Sequence, residues 1–308
     1  MTTPTGTPIV LEQHGVRAEI GTVAAVLRSL TVDGADLTEP TPADRMPDFG
    51  NGIVLAPWPN RVRDGDWILD GALQRLDLTE RERGNALHGL LRNTAYEIRE
   101  QGDAAAELAA YIAPQHGWPF ALETAVRYAL EPDGLTVTHT VRNASNRRAP
   151  WAVGTHPFLR VGATPVEDLV LTVPAAEFVE VDERLNPLAI SPVTPAVDLR
   201  GGRPVAGLQL DTAYGGLVHA APAGGRGDSA WLVAPDGART TLWQDLDWGY
   251  VQVFTTREFP RATGNGLAVA VEPMTAPPDA LNSGTGLVWL EPGETWEGSW
   301  GLRHTPAG

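Results

Sequence analysis

Leu135-Thr136-Val137-Thr138-His139-Thr140-Val141 alternates apolar and polar residues at every step, directly after a Pro132-Asp133-Gly134 turn. A period of two sends successive side chains to opposite faces, so this stretch reads as a strand with one buried face. Val23 to Leu30, Ala125 to Leu130, Leu169 to Val173, Val251 to Phe254 and Leu267 to Val271 read as strands too. Helical periodicity is short and scarce. The alanine-rich stretch 103 to 110 fits a strand flank as well as a helix. Thirty-three glycines and 26 prolines are spread evenly, punctuating short segments as turns do in all-β chains. Thr38 to Asp48 and the Gly- and Ala-rich stretch 220 to 229 read as surface loops. No low-complexity linker divides the chain and no repeat stands out. The pattern predicts an all-β fold, one large antiparallel β-sandwich domain spanning residues 1–308.

At 308 residues the chain can bury a sizeable core. A net charge of −15 disfavours nucleic acid and anionic membrane surfaces as partners, and acts mainly through solubility. All 23 basic residues are arginine. Without lysine the chain cannot form a Schiff base, hold pyridoxal phosphate or build a P-loop. Without cysteine it has no disulfide, thiol nucleophile or thiolate metal site, which leaves the redox compartment open. Met1 to Gly15 carries no basic or apolar leader pattern, and no run approaches 18 apolar residues. A cytoplasmic protein, monomeric or homodimeric, is expected.

Seven histidines occur without a His-x-His or His-x-x-x-His spacing, so no sequence-local metal site is expected. No Gly-x-Ser-x-Gly elbow is present. Gly284-Thr285-Gly286 lacks both a third glycine and a βαβ setting, so no dinucleotide cofactor is expected either.

Two motifs carry proton chemistry. In Gly154-Thr155-His156-Pro157-Phe158 and Val271-Glu272-Pro273-Met274-Thr275, a titratable residue stands directly before proline, which biases it to extended geometry. His156 reads as a fixed acid–base group or as a hydrogen-bonded core histidine. Glu272 ends an apolar run and reads as a general base or as half of a structural ion pair with arginine. Arg61, after the proline-set loop Leu55-Ala56-Pro57-Trp58-Pro59-Asn60, could clamp a hydroxyl-rich ligand, hold Glu272 ionised, or sit on the surface. His88 lies beside a flexible Gly89. Asp211 could accept hydrogen bonds from sugar hydroxyls or from a turn. Trp58, Trp151, Trp243 and Trp248 could stack on a sugar face, although each taken singly reads better as core.

In order along the chain, these motifs resemble the aldose 1-epimerase (mutarotase) family. The matching pieces are Leu55 to Arg61, Leu87-His88-Gly89, Gly154 to Phe158, Leu210-Asp211-Thr212, Val271 to Thr275 and the tail Gly286 to Glu294. The resemblance implies a galactose mutarotase-like supersandwich of many short strands, with no cofactor and a small sugar as partner. It implies Glu272 as the general base on the C1 hydroxyl and His156 as the general acid on the ring oxygen, on opposite sides of the hemiacetal. Arg61, His88 and Asp211 fall at the family's substrate-binding positions, and Asn60 and Gln252 at hydroxyl contacts. One departure is Phe158, where many members carry tyrosine.

Two other functions fit the same residues. One is epimerisation of an anionic hexose, phosphorylated or sulfonated, with Arg28, Arg63, Arg83 and Arg160 as anion ligands. The other is a non-catalytic sugar-binding module on the same scaffold. Loops near Trp243 to Tyr250 and Arg257 to Thr263 are expected to shape the end of the site that reads C4 and C6.

Overall fold

The alternating heptapeptide at 135–141 forms the middle of strand Gly134–Asn143. That strand pairs antiparallel with Leu122–Glu131 on one side and with Thr295–Thr305 on the other. The structure is a computed structural model and describes residues 3–261 and 264–308. Among the described residues there are 27 strands, four 3-10 turns and one short helix, Ala280–Ser283. No helix among the described residues is long and apolar enough to cross a membrane.

Two antiparallel sheets dominate. One has ten strands and includes Ala105–Ile112, Leu122–Glu131, Gly134–Asn143, Thr295–Thr305 and Arg239–Asp245. The other has seven, in the order Pro187–Pro192, Ala175–Val181, Asp211–Leu217, Tyr250–Arg261, Gly264–Met274, Gly154–Thr155 and Val54–Leu55. Leu108, Val137 and Leu302 from the first sheet share one continuous buried cluster with Val251, Val253, Val269 and Val271 from the second. The two sheets therefore pack face to face, as the all-β pattern predicts. A four-stranded N-terminal sheet adds Ile9, Leu11 and Ile20 to the same core.

The structure redraws several predicted boundaries. The first predicted strand starts at Val26 rather than Val23, because Ala24 and Ala25 turn the chain at φ values of 57° and 45°. The alanine-rich stretch is a strand, Ala105–Ile112, whose Ala106 and Leu108 face the core. The predicted loop at 220–229 is instead a hairpin, Ala220–Ala223 with Arg226–Val233. Its turn is Gly224-Gly225, both at positive φ, the geometry that a two-residue hairpin needs.

His139, in the central alternating strand, is a core residue. It is 2% exposed, and its Nε2 accepts a hydrogen bond from Trp300 Nε1 at 3.2 Å. Burial lowers its pKa to about 3. Between that value and the ordinary 6.5, the unfolded chain binds a proton that the folded chain refuses, so stability falls as pH falls. His88 and His156, both held below the ordinary value, act in the same direction. The melting temperature should therefore drop between pH 7 and pH 4. In His139→Gln the drop should be smaller, as thermal scans by circular dichroism at each pH can measure.

Candidate active site

Period-two alternation sets the first half of the site. Val251 and Val253 point into the main core, so Gln252 and Phe254 point the other way. In the neighbouring strand Val269 and Val271 enter the core, which leaves Ala268, Ala270 and Glu272 on the outer face. Gln252 lies directly opposite Glu272 in the ladder. The chain at His156–Leu159 runs beside the same strand. Val271 donates its N–H to the Pro157 carbonyl at 3.1 Å, and Leu159 donates to the Val269 carbonyl at 2.9 Å. This register brings His156 Nε2 within 3.3 Å of Glu272 Oε1. The two side chains are in contact.

The second half comes from a small ladder in which Arg61–Val62 pairs with Ala86–Leu87. Asn60 and His88, flanking it, hold left-handed backbone at φ 56° and 62°, and the His88 N–H donates to the Asn60 carbonyl at 2.8 Å. Non-glycine residues are uncommon in this region, and such strain gathers at ligand sites. Buried Arg61 donates to both carboxylate oxygens of buried Glu80, at 2.9 and 3.0 Å. It reaches Asp211 at 3.4 Å, and Gln252 Nε2 donates to the other Asp211 oxygen at 2.6 Å. Asp211 and Gln252 are a diagonal cross-strand pair, since Asp211 faces Phe254 and Gln252 faces Ala213.

All seven predicted residues line one pocket of about 430 Å³, a volume typical of small-ligand sites. Buried polar atoms without a partner among the described residues gather there: Glu272 Oε2, His156 Nδ1, His88 Nδ1 and Gln252 Oε1. A larger hollow of about 650 Å³ lies over Tyr111, Arg99 and Arg142 on the ten-stranded sheet. Its charged side chains form exposed ion pairs, Arg99 with Glu97 and Arg142 with Glu123. It has no comparable gathering of buried groups.

Electrostatics in the pocket follow from burial. Desolvation, joined by the charge of Arg61 and opposed by a backbone hydrogen bond, lowers the His156 pKa to about 4. Desolvation, with Asp211 nearby, raises Glu272 well above the usual carboxylate range against the pull of Arg61. His88 is held well below its ordinary value by burial, then by His156, Arg61 and Arg92. Burial opposes the charge on Arg61, but its bond to Glu80 and the charges of Asp211 and Glu80 outweigh burial and raise its pKa. Arg61 is thus paired to Glu80, not to Glu272. No group of three or more His, Asp or Glu side chains among the described residues is placed to hold a metal ion.

The tryptophans do not supply the aromatic wall. Trp151 and Trp248 are core, and Trp58 and Trp243 are buried away from this pocket. Phe49 and Phe254 line it instead, and the ring of Phe158 stacks on His156 with centroids 5.4 Å apart. Of the four arginines expected to bind an anion, only Arg83 lines the pocket. Arg28 is tied to Glu19 and Thr41, Arg63 to Pro187, and Arg160 to Glu39. The stretches 243–250 and 257–261 do not line it either, and residues 262 and 263 lie outside the described residues. Sequence reasoning missed Glu80, Phe49 and Arg92. For Glu80 the available signal was a carboxylate among three nearby arginines, which says nothing of its reach to Arg61.

The aldose 1-epimerase family model matches residues 8–303. The uncharacterized protein YihR of Escherichia coli strain K12 is 32% identical over 295 residues, 94% of this chain and 90% of that protein. Among solved structures, an aldose epimerase homologue from C. elegans superposes with a TM-score of 0.83 at 19% identity, covering 98% of this chain and 99% of that one. A galactose 1-epimerase from Lactobacillus acidophilus NCFM gives 0.78 at 18% identity, covering 97% and 94%. These structures share the β-sandwich fold.

The Arg61–Glu80 pair makes a prediction about the pocket's frame. Removing one partner of a buried ion pair strands the other, at a cost of about 3 kcal/mol or more. Glu80→Ala should lose stability on that scale in urea unfolding. Arg83→Ala, which removes a half-exposed partner of the same carboxylate, should lose less than about 1 kcal/mol.

Proposed function

The chain belongs to the aldose 1-epimerase family, and we propose that it interconverts the α and β anomers of a hexopyranose by acid–base ring opening. The observation that carries this reading is the 3.3 Å approach of Glu272 Oε1 to His156 Nε2 inside a pocket lined by hydroxyl-binding groups. The anomeric hydroxyl and the ring oxygen share one tetrahedral carbon. Two side chains in contact can therefore each reach one of these oxygens.

In the forward step, Glu272 takes the proton from the C1 hydroxyl and His156 gives one to the ring oxygen. The C1–O5 bond breaks, leaving an aldehyde at C1 and a hydroxyl at C5. Rotation about C1–C2 presents the other carbonyl face, and ring closure runs the two transfers backwards. The pair regains its starting protonation at the end of each turnover. Burial favours the uncharged forms of both groups, a state in which the pair holds a single proton, on Glu272. Shifting that proton from Glu272 to His156 produces the carboxylate and imidazolium that the step uses, without a change in net charge. Arg61 favours the carboxylate form of Glu272. Arg61, Asp211, Gln252, Asn60 and His88 hold the sugar's hydroxyls. Their own hydrogen bonds preorganise them for that task.

A second reading, an anionic hexose, is favoured by one observation. Arg92 lines the pocket with Arg83, and among the described residues no carboxylate lies within 4 Å of it. Arg83 is engaged with Glu80.

Polarimetric relaxation of freshly dissolved α-glucose and α-galactose, with anomer exchange of glucose 6-phosphate and a sulfonated hexose followed by NMR, tests both readings. Acceleration of the neutral sugars supports the first and selective acceleration of the anionic ones the second. Saturable binding with no acceleration of any sugar identifies a binding module instead. Glu272→Gln and His156→Asn should each reduce turnover at least about 10²-fold with the fold intact by circular dichroism. The wild-type rate should be bell-shaped in pH, with its acid limb near the depressed His156 value of about 4. An acid limb at the ordinary imidazole value of 6.5 would count against the shared-proton pair.

A further inference from the structure

Phe49 holds a backbone conformation that is costly for an aromatic residue. It sits in the 3-10 turn Asp48–Gly50 at φ 52° and ψ 24°, a left-handed region that aromatic side chains rarely adopt. The chain places glycine at the neighbouring left-handed positions 50 and 52, at φ 72° and 74°. At Gly52 a Cβ would stand 2.0 Å from the Leu27 carbonyl oxygen, so glycine is required there. Position 49 carries a large apolar ring instead, and that ring is 42% exposed. Strain and exposure together point to a task outside the core.

The turn is fixed against His156. Gly52 donates its N–H to the His156 carbonyl at 2.8 Å, and His156 donates to the Ile53 carbonyl at 3.1 Å. Buried Asn51 accepts from the Phe158 N–H at 3.1 Å and donates to the Glu39 carbonyl at 2.7 Å. A Cβ on Gly50 would come within 3.9 Å of the His156 ring. Phe49 is braced by Phe158, Phe254 and Phe259, at centroid distances of 6.4, 6.1 and 6.2 Å. It lines the pocket together with Phe254 and Ile53, whereas Arg61, Asp211 and Gln252 line it with polar groups.

A pyranose has the matching division: a rim of hydroxyls and a face of C–H bonds that packs on an aromatic ring. We infer that Phe49 is a substrate-contacting specificity residue, which stacks on the C–H face of a pyranose and sets the ring's C1–O5 edge against His156 and Glu272. This inference rests on the sugar reading of the same pocket. It goes further in assigning recognition of the closed ring to a residue outside the proton-transfer pair.

The test uses 1,5-anhydroglucitol and 1,5-anhydrogalactitol, pyranoses that lack the anomeric hydroxyl, so binding is measured apart from turnover. By calorimetry, Phe49→Leu, which keeps apolar bulk but loses the aromatic face, should bind the better of the two about tenfold more weakly than wild type. Phe49→Tyr, which keeps the ring, should bind within about twofold of wild type, and both variants should melt together. Wild-type protein that binds neither compound overturns the sugar reading itself. Wild-type binding matched by Phe49→Leu, or lost equally in Phe49→Leu and Phe49→Tyr, overturns the role of Phe49 alone.

Discussion

The antiparallel pairing of Tyr250–Arg261 with Gly264–Met274 is the contact on which the site depends. Each strand turns its valines into the layer between the two large sheets, and that burial fixes which way every intervening residue points. A slip of one residue would bury Glu272 and Gln252 in the apolar layer and expose the valines. Hydrophobic burial at Val251, Val253, Val269 and Val271 is thus what aims the carboxylate and the amide into the pocket. The segment that follows Gly154–Thr155, held through Pro157 and Leu159, docks on the same register and delivers His156.

A buried pocket with this many ionisable groups needs compensation, because an unpaired charge in a low-dielectric interior costs several kcal/mol. The protein meets that need unevenly. Arg61 is neutralised by Glu80 and Asp211, and Asp211 is also held by Gln252, so these charges on the binding side of the pocket are paired. His156 and Glu272 contact each other, and among the described residues Glu272 Oε2 and His156 Nδ1 have no hydrogen-bond partner. The rigid half suits recognition. The half with displaced pKa values suits proton transfer, where a shared proton is useful.

Backbone strain is spread over the molecule, and part of it falls at the pocket. Asn60, His88 and Phe49 are non-glycine residues at positive φ, and all three line the pocket. Each sits next to or within a turn pinned by main-chain hydrogen bonds, so the surrounding structure over-determines a conformation the residue would not choose.

Much of the fold and site was legible in the sequence. Strict alternation at 135–141 and the apolar run at 267–271 determined strands and the all-β class, because a period of two is a local property of the chain. His156-Pro157 and Glu272-Pro273 marked stiff strand ends, and the ordered motifs identified the family and the seven residues that share a pocket. Other features were settled only by tertiary contacts. The sequence carries no trace of Glu80 reaching Arg61 across 19 residues, of Phe rather than Trp forming the wall, or of Arg92 turning into the pocket. It offered Arg61 as a charge holding Glu272 ionised; the fold keeps that charge near Glu272 but gives the guanidinium's hydrogen bonds to Glu80. Local patterns determine which face a residue takes on its own strand. Which partner it meets, how deeply it is buried and where its proton sits depend on strands brought together from distant parts of the chain.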